Sequence, residues 1–419
     1  MAVTSTTATR RDAPLAPDPP HALLRLWSWA TLSIAVALVH NRLWASPNLD
    51  AFARIAADWG SDPFSTATSS DYLLTNLSLP TLARLVGMTR PHHYALLHLG
   101  VILVGSAACV WMAMRRFGYR TARTLVVLLA ASPGTTVVMQ WLGQPDALMF
   151  PLGLALALVR RRGAFVLLAL LAALTHPEQA VLMVACASVV RGLVLPPSAE
   201  ITLPVPRPGI RRIPSLVGAD LLYGLLAVGA GRLLTELYLR GFDIALDRPR
   251  SAYLRLGVDV LGEHHLRAPV SLVYLLWGPL WLVVVAVAVL RIRRSPDPLA
   301  WPWTVLALLA LVAVVPVVFT LDETRVYAML TAPLLPAAAA LLAHEVPSLR
   351  PRALATASAV LLAVCLVVPG GFTAGEDAWA TQIPFGEFVD YLRSGDAPGP
   401  LFFWLLGPFD FVFPDVGGR

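Results

Sequence analysis

The residues whose types could do chemistry fall in a few short polar stretches, each bounded by apolar runs. The first, SPNLDAFARIAADWGSDPF, holds Asp50, Asp58 and Asp62. An ionised carboxylate can take the proton of an attacking hydroxyl, so each of the three is a candidate general base. Asp50 follows an apolar run directly, which would set it at a cavity on the membrane surface. Solvation or helix capping is the plainer reading for these carboxylates, and Asp62 in Ser-Asp-Pro-Phe also suits a turn. The second stretch is Gly143-Gln144-Pro145-Asp146, a tight turn that would put Asp146 at a helix N-terminus, where the dipole favours an anion. Gln144 and Asp146 are candidate substrate ligands. In the third, Thr175-His176-Pro177-Glu178-Gln179, Thr175 and Glu178 have capping-box spacing, with Pro177 in the first turn. The apolar run before it, Ala164 to Leu174, reaches only about 16 Å as a helix, roughly half the hydrocarbon thickness. His176 and Glu178 are therefore expected at membrane depth, where polar residues line a protein-walled cavity.

The fourth stretch, Leu321-Asp322-Glu323-Thr324-Arg325, offers Asp322 and Arg325 as a local ion pair. Alternatively, Arg325 turns into the cavity as a clamp for phosphate oxygens. The fifth, 238–269, carries Arg248, Arg255 and His264 among further arginines. Contact with lipid phosphates and a solvated amphipathic helix are both open for it. His264-His265 has no partner at ligand spacing, so no metal site is expected.

The elements that must position these residues are apolar. Of the 419 residues, 57% are hydrophobic and 14% charged, and the mean hydropathy is +0.67; a soluble chain carries nearer a quarter charged. Apolar runs lie at roughly 22–41, 93–114, 122–141, 145–159, 163–175, 178–195, 214–237, 270–290, 301–320, 327–343 and 353–370. These about eleven runs predict an all-α, polytopic transmembrane bundle. Every basic residue is Arg. With the first span starting inside, Arg115, Arg116, Arg120 and Arg123, then Arg160 to Arg162, then Arg291, Arg293 and Arg294 all fall in inner connections. That fixes the N-terminus inside. Residues 1–20 are expected to be a disordered inner tail and 21–371 the membrane domain. Within it, 42–92 is the first outer loop, with two interfacial helices (one starting at Asp50, one at about 71–88), and 238–269 the second large outer loop. Residues 372–419 form a further outer segment.

Asp220 and Arg232 near the ends of one span read as snorkelling side chains. Cys109, Cys186 and Cys365 lie in apolar runs and read as packing residues. The pI of about 9.6 follows from the arginine loops and does not indicate a nucleic-acid surface. Phosphate-loop and dinucleotide patterns are absent. The Arg-only, Ala/Leu/Val/Pro-rich composition points to a GC-rich bacterial source and thus a plasma-membrane protein.

This layout resembles the GT-C superfamily of membrane glycosyltransferases, which use polyprenyl-phosphate sugars. The stretch from Asp50 to Gly60 with Asp62-Pro63-Phe64 looks like that family's first outer loop, whose early acid is the catalytic base. Gly143-Gln144-Pro145-Asp146 is similar to a polar turn after the third span of mannosyl- and arabinosyltransferases. Leu-Thr-His-Pro-Glu-Gln resembles a polar break between paired helices. The family's two adjacent acids are not matched, because Ala51 follows Asp50; the base is therefore open among Asp50, Asp58 and Asp62. The resemblance implies transfer of a mannose- or arabinose-type sugar from a polyprenyl phosphate to an outer glycan or glycolipid. The lipid-linked sugar would be a co-substrate, and no other cofactor is implied. A surface-polysaccharide polymerase or ligase, a transporter or flippase, and a non-catalytic scaffold are the competing expectations.

Overall fold

The computed structural model describes residues 19–41, 49–59, 75–195, 213–243, 276–292, 300–318, 320, 323–345, 351–367, 372–374 and 377–379. The inner tail therefore lies outside the described residues, as do Asp62, Asp322, Arg248, Arg255 and His264. In chain order the helices are α1 (Ala22–Asn41), α2 (Leu49–Ala57), α3 (Ser78–Val86), α4 (Pro91–Phe117), α5 (Tyr119–Ala130), α6 (Pro133–Gln140), α7 (Asp146–Leu158) and α8 (Arg162–Thr175). Then come α9 (Pro177–Val189), which runs on as a π turn over Val190–Val194, and α10 (Ile213–Arg240). The rest are α11 (Trp281–Ile292), α12 (Ala300–Val312), α13 (Val314–Val317), α14 (Glu323–Thr331), α15 (Leu334–Glu345) and α16 (Pro351–Val367). A small antiparallel hairpin, Phe372–Ala374 with Asp377–Trp379, follows and packs on α14 and α6. Apart from this hairpin the described elements are helical, as the apolar runs predict.

Over its described residues every apolar run is mainly helical, but not every run is one long span. Among the described residues, four helices are long and apolar enough to cross a membrane: Ala22–Asn41, Pro91–Phe117, Pro177–Val194 and Val217–Arg240. The count rises to six if two bent pairs are each one span. The remaining runs give shorter apolar helices. These are the helices of a membrane protein. The departure from a uniform bundle of full spans has a local cause. The runs 122–141 and 327–343 are each split into helix pairs bent by 57°, at Pro133 and Pro333. A proline removes an N–H and pushes the residue before it out of the α region; Ser132 accordingly sits at φ −79, ψ 136. Its hydroxyl then accepts the Gly134 N–H and restarts the chain as α6.

Small residues let the bundle close. A Cβ on Gly231 would stand 2.6 Å from the Ala173 Cβ, and one on Gly224 would stand 2.5 Å from Val184 Cγ1. Backbone approach of this kind is the usual way helices associate without a hydrophobic driving force. Cys109 and Cys365 are buried, Cys186 is partly so, and all three are free thiols.

The two ends of the bundle differ in chemistry. At one end Leu26 packs with Tyr119, Ala122 and Val126. There Arg116 donates to the carbonyls of Leu158 (2.9 Å) and Leu195 (2.6 Å), satisfying helix-terminal acceptors. Asp220 is buried beside them between Arg191 and Arg162, at 3.0 Å from each. Arg191 is also buried, lies 4.7 Å from the Phe165 ring centroid, and donates to the Val159 carbonyl. The snorkelling expected of Asp220 is thus replaced by a buried ionic junction of α8, α9 and α10. An isolated carboxylate could not stay charged there, whereas one bridged by two guanidinium groups can. The candidate catalytic and binding side chains gather at the opposite end.

Candidate functional site

The site is built on α2, the 141–146 turn and the first turn of α14. In α2 the apolar positions Leu49, Phe52, Ala53, Ile55 and Ala56 are buried. Asp50 stands in the first turn of this amphipathic helix and is exposed. Asp58 lies just past the other end, its N–H bonded to the Arg54 carbonyl at 2.9 Å. Eight residues of helix rise separate the two carboxylates by about 12 Å, so they do not act as one pair. The second expected interfacial helix is shorter than 71–88. It occupies Ser78–Val86 and buries Leu79, Pro80 and Ala83. Leu85 is exposed, and α3 packs on α2 through a bond from Arg84 Nη1 to the Ala57 carbonyl at 3.0 Å.

The 141–146 turn is in direct contact with the head of α2. Gly143 takes φ +104, a conformation that L side chains rarely adopt. A Cβ there would meet Leu49 Cδ1 at 2.7 Å and Leu49 Cα at 3.1 Å. Glycine is thus required twice, once for the turn and once for the approach of α2. Asp50 is the residue after Leu49 and stands exposed at the helix head that meets the turn. The Gly143 N–H donates to His98 Nδ1 on α4 at 3.1 Å. From α1, Asn41 Oδ1 accepts the Thr136 hydroxyl of α6 at 2.6 Å, which ties the end of the first helix to the same corner.

Asp146 is the first residue of α7 and has no solvent exposure. Its Oδ2 accepts from Arg325 Nε at 2.6 Å, a contact between residues 179 positions apart in the chain. Arg325 is 5% exposed, and its guanidinium lies 5.9 Å from the Trp141 ring centroid. It is not in a loop, as the sequence led one to expect, but in the first turn of α14. Glu323 and Thr324 are buried beside it. α14 in turn packs against α6, α7 and α9, which links this pair to the third polar stretch.

There the local capping differs from expectation. Thr175 ends α8, and its hydroxyl returns to the Leu171 carbonyl at 2.7 Å. His176, not Thr175, is the N-cap of α9 and accepts the Gln179 N–H at 3.4 Å. Pro177 forces this by holding residue 176 extended. Glu178, freed from the capping box, lies 3.2 Å from Arg232 Nη1 and 3.4 Å from His176 Nδ1, and Arg232 reaches Glu236 at 2.8 Å. Arg232 therefore belongs to a partly exposed ionic row and does not simply snorkel. Trp59 and Tyr238 stack beside it at 4.7 Å, closing the first loop over the end of α10.

The structure thus pairs Asp146 with Arg325 and puts the turn that carries Gln144 and Asp146 against Leu49, the residue before Asp50; His176 and Glu178 lie at the head of α9, which packs on α14. Asp58 sits at the far end of α2. His98, Trp141 and the Asn41–Thr136 bond were missed by sequence reasoning. The one signal for His98 is its position four residues after Tyr94, a polar pair on a mostly apolar helix. Among the described residues no group of three or more His, Cys, Asp or Glu could hold a metal ion. No protein-family model matches the chain, and neither a curated protein nor a solved structure matches it.

Proposed function

We propose that this chain is a membrane glycosyltransferase of GT-C type. It takes a mannose- or arabinose-type sugar from a polyprenyl phosphate and passes it to a glycan or glycolipid on the outer face of a bacterial plasma membrane. The observation that carries this reading is the contact of Leu49 with Gly143. It sets the helix head that carries the exposed Asp50 against the polar turn Gln144 to Asp146, and Asp146 in turn holds Arg325 from a third part of the chain. In the reaction Asp50 accepts the proton of the acceptor hydroxyl. That oxygen bonds to the anomeric carbon as the bond to the donor phosphate breaks, and the polyprenyl phosphate leaves with the electron pair. Arg325, oriented by Asp146, stabilises the charge growing on that phosphate. α2 and α3 lie along the interface and admit the polyprenyl tail from the bilayer. The outer orientation follows from placing the Arg116–Arg191–Arg162 end inside. The test is transfer of labelled sugar from polyprenyl-phosphate donors to a membrane lipid extract, by wild type and by Asp50→Ala. Transfer by wild type alone is expected, and equal transfer by both would remove Asp50 from the mechanism.

A transporter or flippase is the second reading. It is favoured by two ionic layers along α10, one at Asp220 and one at Arg232, about 18 Å apart by helix rise. Such layers could open in alternation. Movement of the lipid-linked sugar across proteoliposomes without its consumption would select this reading.

A further inference from the structure

His98 is fully buried in the first third of α4 and takes no part in the mechanism above. Its Nδ1 faces the Gly143 N–H at 3.1 Å. A backbone N–H can only donate, so Nδ1 is the acceptor and the ring is the neutral tautomer with its proton on Nε2. The Tyr94 ring, one turn earlier, lies 4.6 Å away and tilted by 48°, which fixes the imidazole plane. On its other side Gly143 lies against Leu49. The chain of contacts therefore runs from α4, a helix long enough to span, through one hydrogen bond to a left-handed turn. From there it passes through a van der Waals contact to the head of α2. Without an acceptor at this point the Gly143 N–H would be a buried orphan donor, and the turn would lose its anchor to α4.

We infer that His98 is a positioning residue: by accepting the Gly143 N–H it fixes the 141–146 turn against Leu49, and so sets Asp50 relative to Gln144 and Asp146. The inference rests on the proposed transferase activity for its consequence, but not for its geometry. Two substitutions separate anchoring from bulk. His98→Asn keeps a carbonyl oxygen close to where Nδ1 stands, whereas His98→Leu fills the space with no acceptor.

The experiment measures deuterium exchange in the peptide containing Gly143 for the full chain in nanodiscs, alongside sugar transfer from a polyprenyl-phosphate donor. His98→Leu is expected to speed exchange at Gly143 by about tenfold, the size of one lost hydrogen bond. It should lower kcat by a similar factor with the donor KM unchanged, and His98→Asn should restore both. A purely packing role would instead let His98→Leu keep Gly143 protected, or leave His98→Asn as impaired as His98→Leu; either result overturns the inference. If His98→Leu does not fold, His98→Gln, whose carbonyl reaches the Nε2 position instead, makes the same comparison. Absence of transfer by wild type would count against the transferase, while the exchange data would still decide the anchor.

Discussion

Removing one partner of the Asp146–Arg325 pair should be among the most damaging single changes in the molecule. Asp146 has no solvent exposure and Arg325 only 5%, with Nε and Oδ2 at 2.6 Å. Asp146→Leu leaves the buried guanidinium without that carboxylate; Arg325→Met leaves the buried Asp146 carboxylate without that cation. Breaking a buried pair in this way costs about 3–5 kcal/mol, or roughly two to three and a half decades in the folding equilibrium. The double variant removes both charges and puts side chains of similar volume in their place. Its loss should be much smaller than the sum of the single losses. The assay is reversible unfolding in mixed micelles, followed by tryptophan fluorescence as denaturing detergent is added. Single losses below about 1 kcal/mol, or losses that simply add in the double variant, would refute a desolvated, coupled pair.

The junction at the other end makes a graded prediction. Asp220→Ala should destabilise by about 3–5 kcal/mol because it strands buried Arg191, whereas Arg162→Ala, whose side chain is 46% exposed, should cost under about 1 kcal/mol in the same assay. Phe52→Ala, at a fully buried position of α2, should lower stability by about 3–5 kcal/mol; a loss under about 1 kcal/mol would mean that α2 is not packed as described. Gly143→Ala should cost about 1–3 kcal/mol from its backbone conformation alone, and more from the Leu49 contact. It should also lower transfer, which kinetics on the folded fraction would reveal.

Much of the architecture could be read from hydropathy. The apolar runs coincide with helices because consecutive Leu, Ala and Val residues both propagate a helix and must leave water. Among the described residues, Arg116, Arg162 and Arg191 meet at one end. What hydropathy could not show is where a run breaks. Pro133 and Pro333 each sit inside an apolar stretch of span length, and only the fold reveals that the chain bends there instead of crossing straight. The site was legible as residue types but not as partners. Asp146 and Arg325 are each legible as candidates, but the sequence leaves Arg325 open between its neighbour Asp322 and a cavity anion, because nothing local reports a contact 179 residues away. The same limit explains Asp220 and Arg232: a charge near a span end looks the same in sequence whether it reaches water or a buried partner. His98 carries almost no signal, since a histidine at an apolar stretch of a helix usually just packs.

The central claim, that the corner formed by α2, the 141–146 turn and α14 transfers sugar, is tested most directly by one comparison. Wild type and Asp50→Ala are reconstituted in nanodiscs with labelled polyprenyl-phosphate mannose or arabinose and a membrane lipid extract. Because Asp50 is exposed, the variant should unfold at the same detergent concentration as wild type, so any loss of transfer is chemical. Wild type is expected to give a labelled product and Asp50→Ala none above background. No product from wild type with either donor, or the same product at the same rate from both proteins, would contradict that claim.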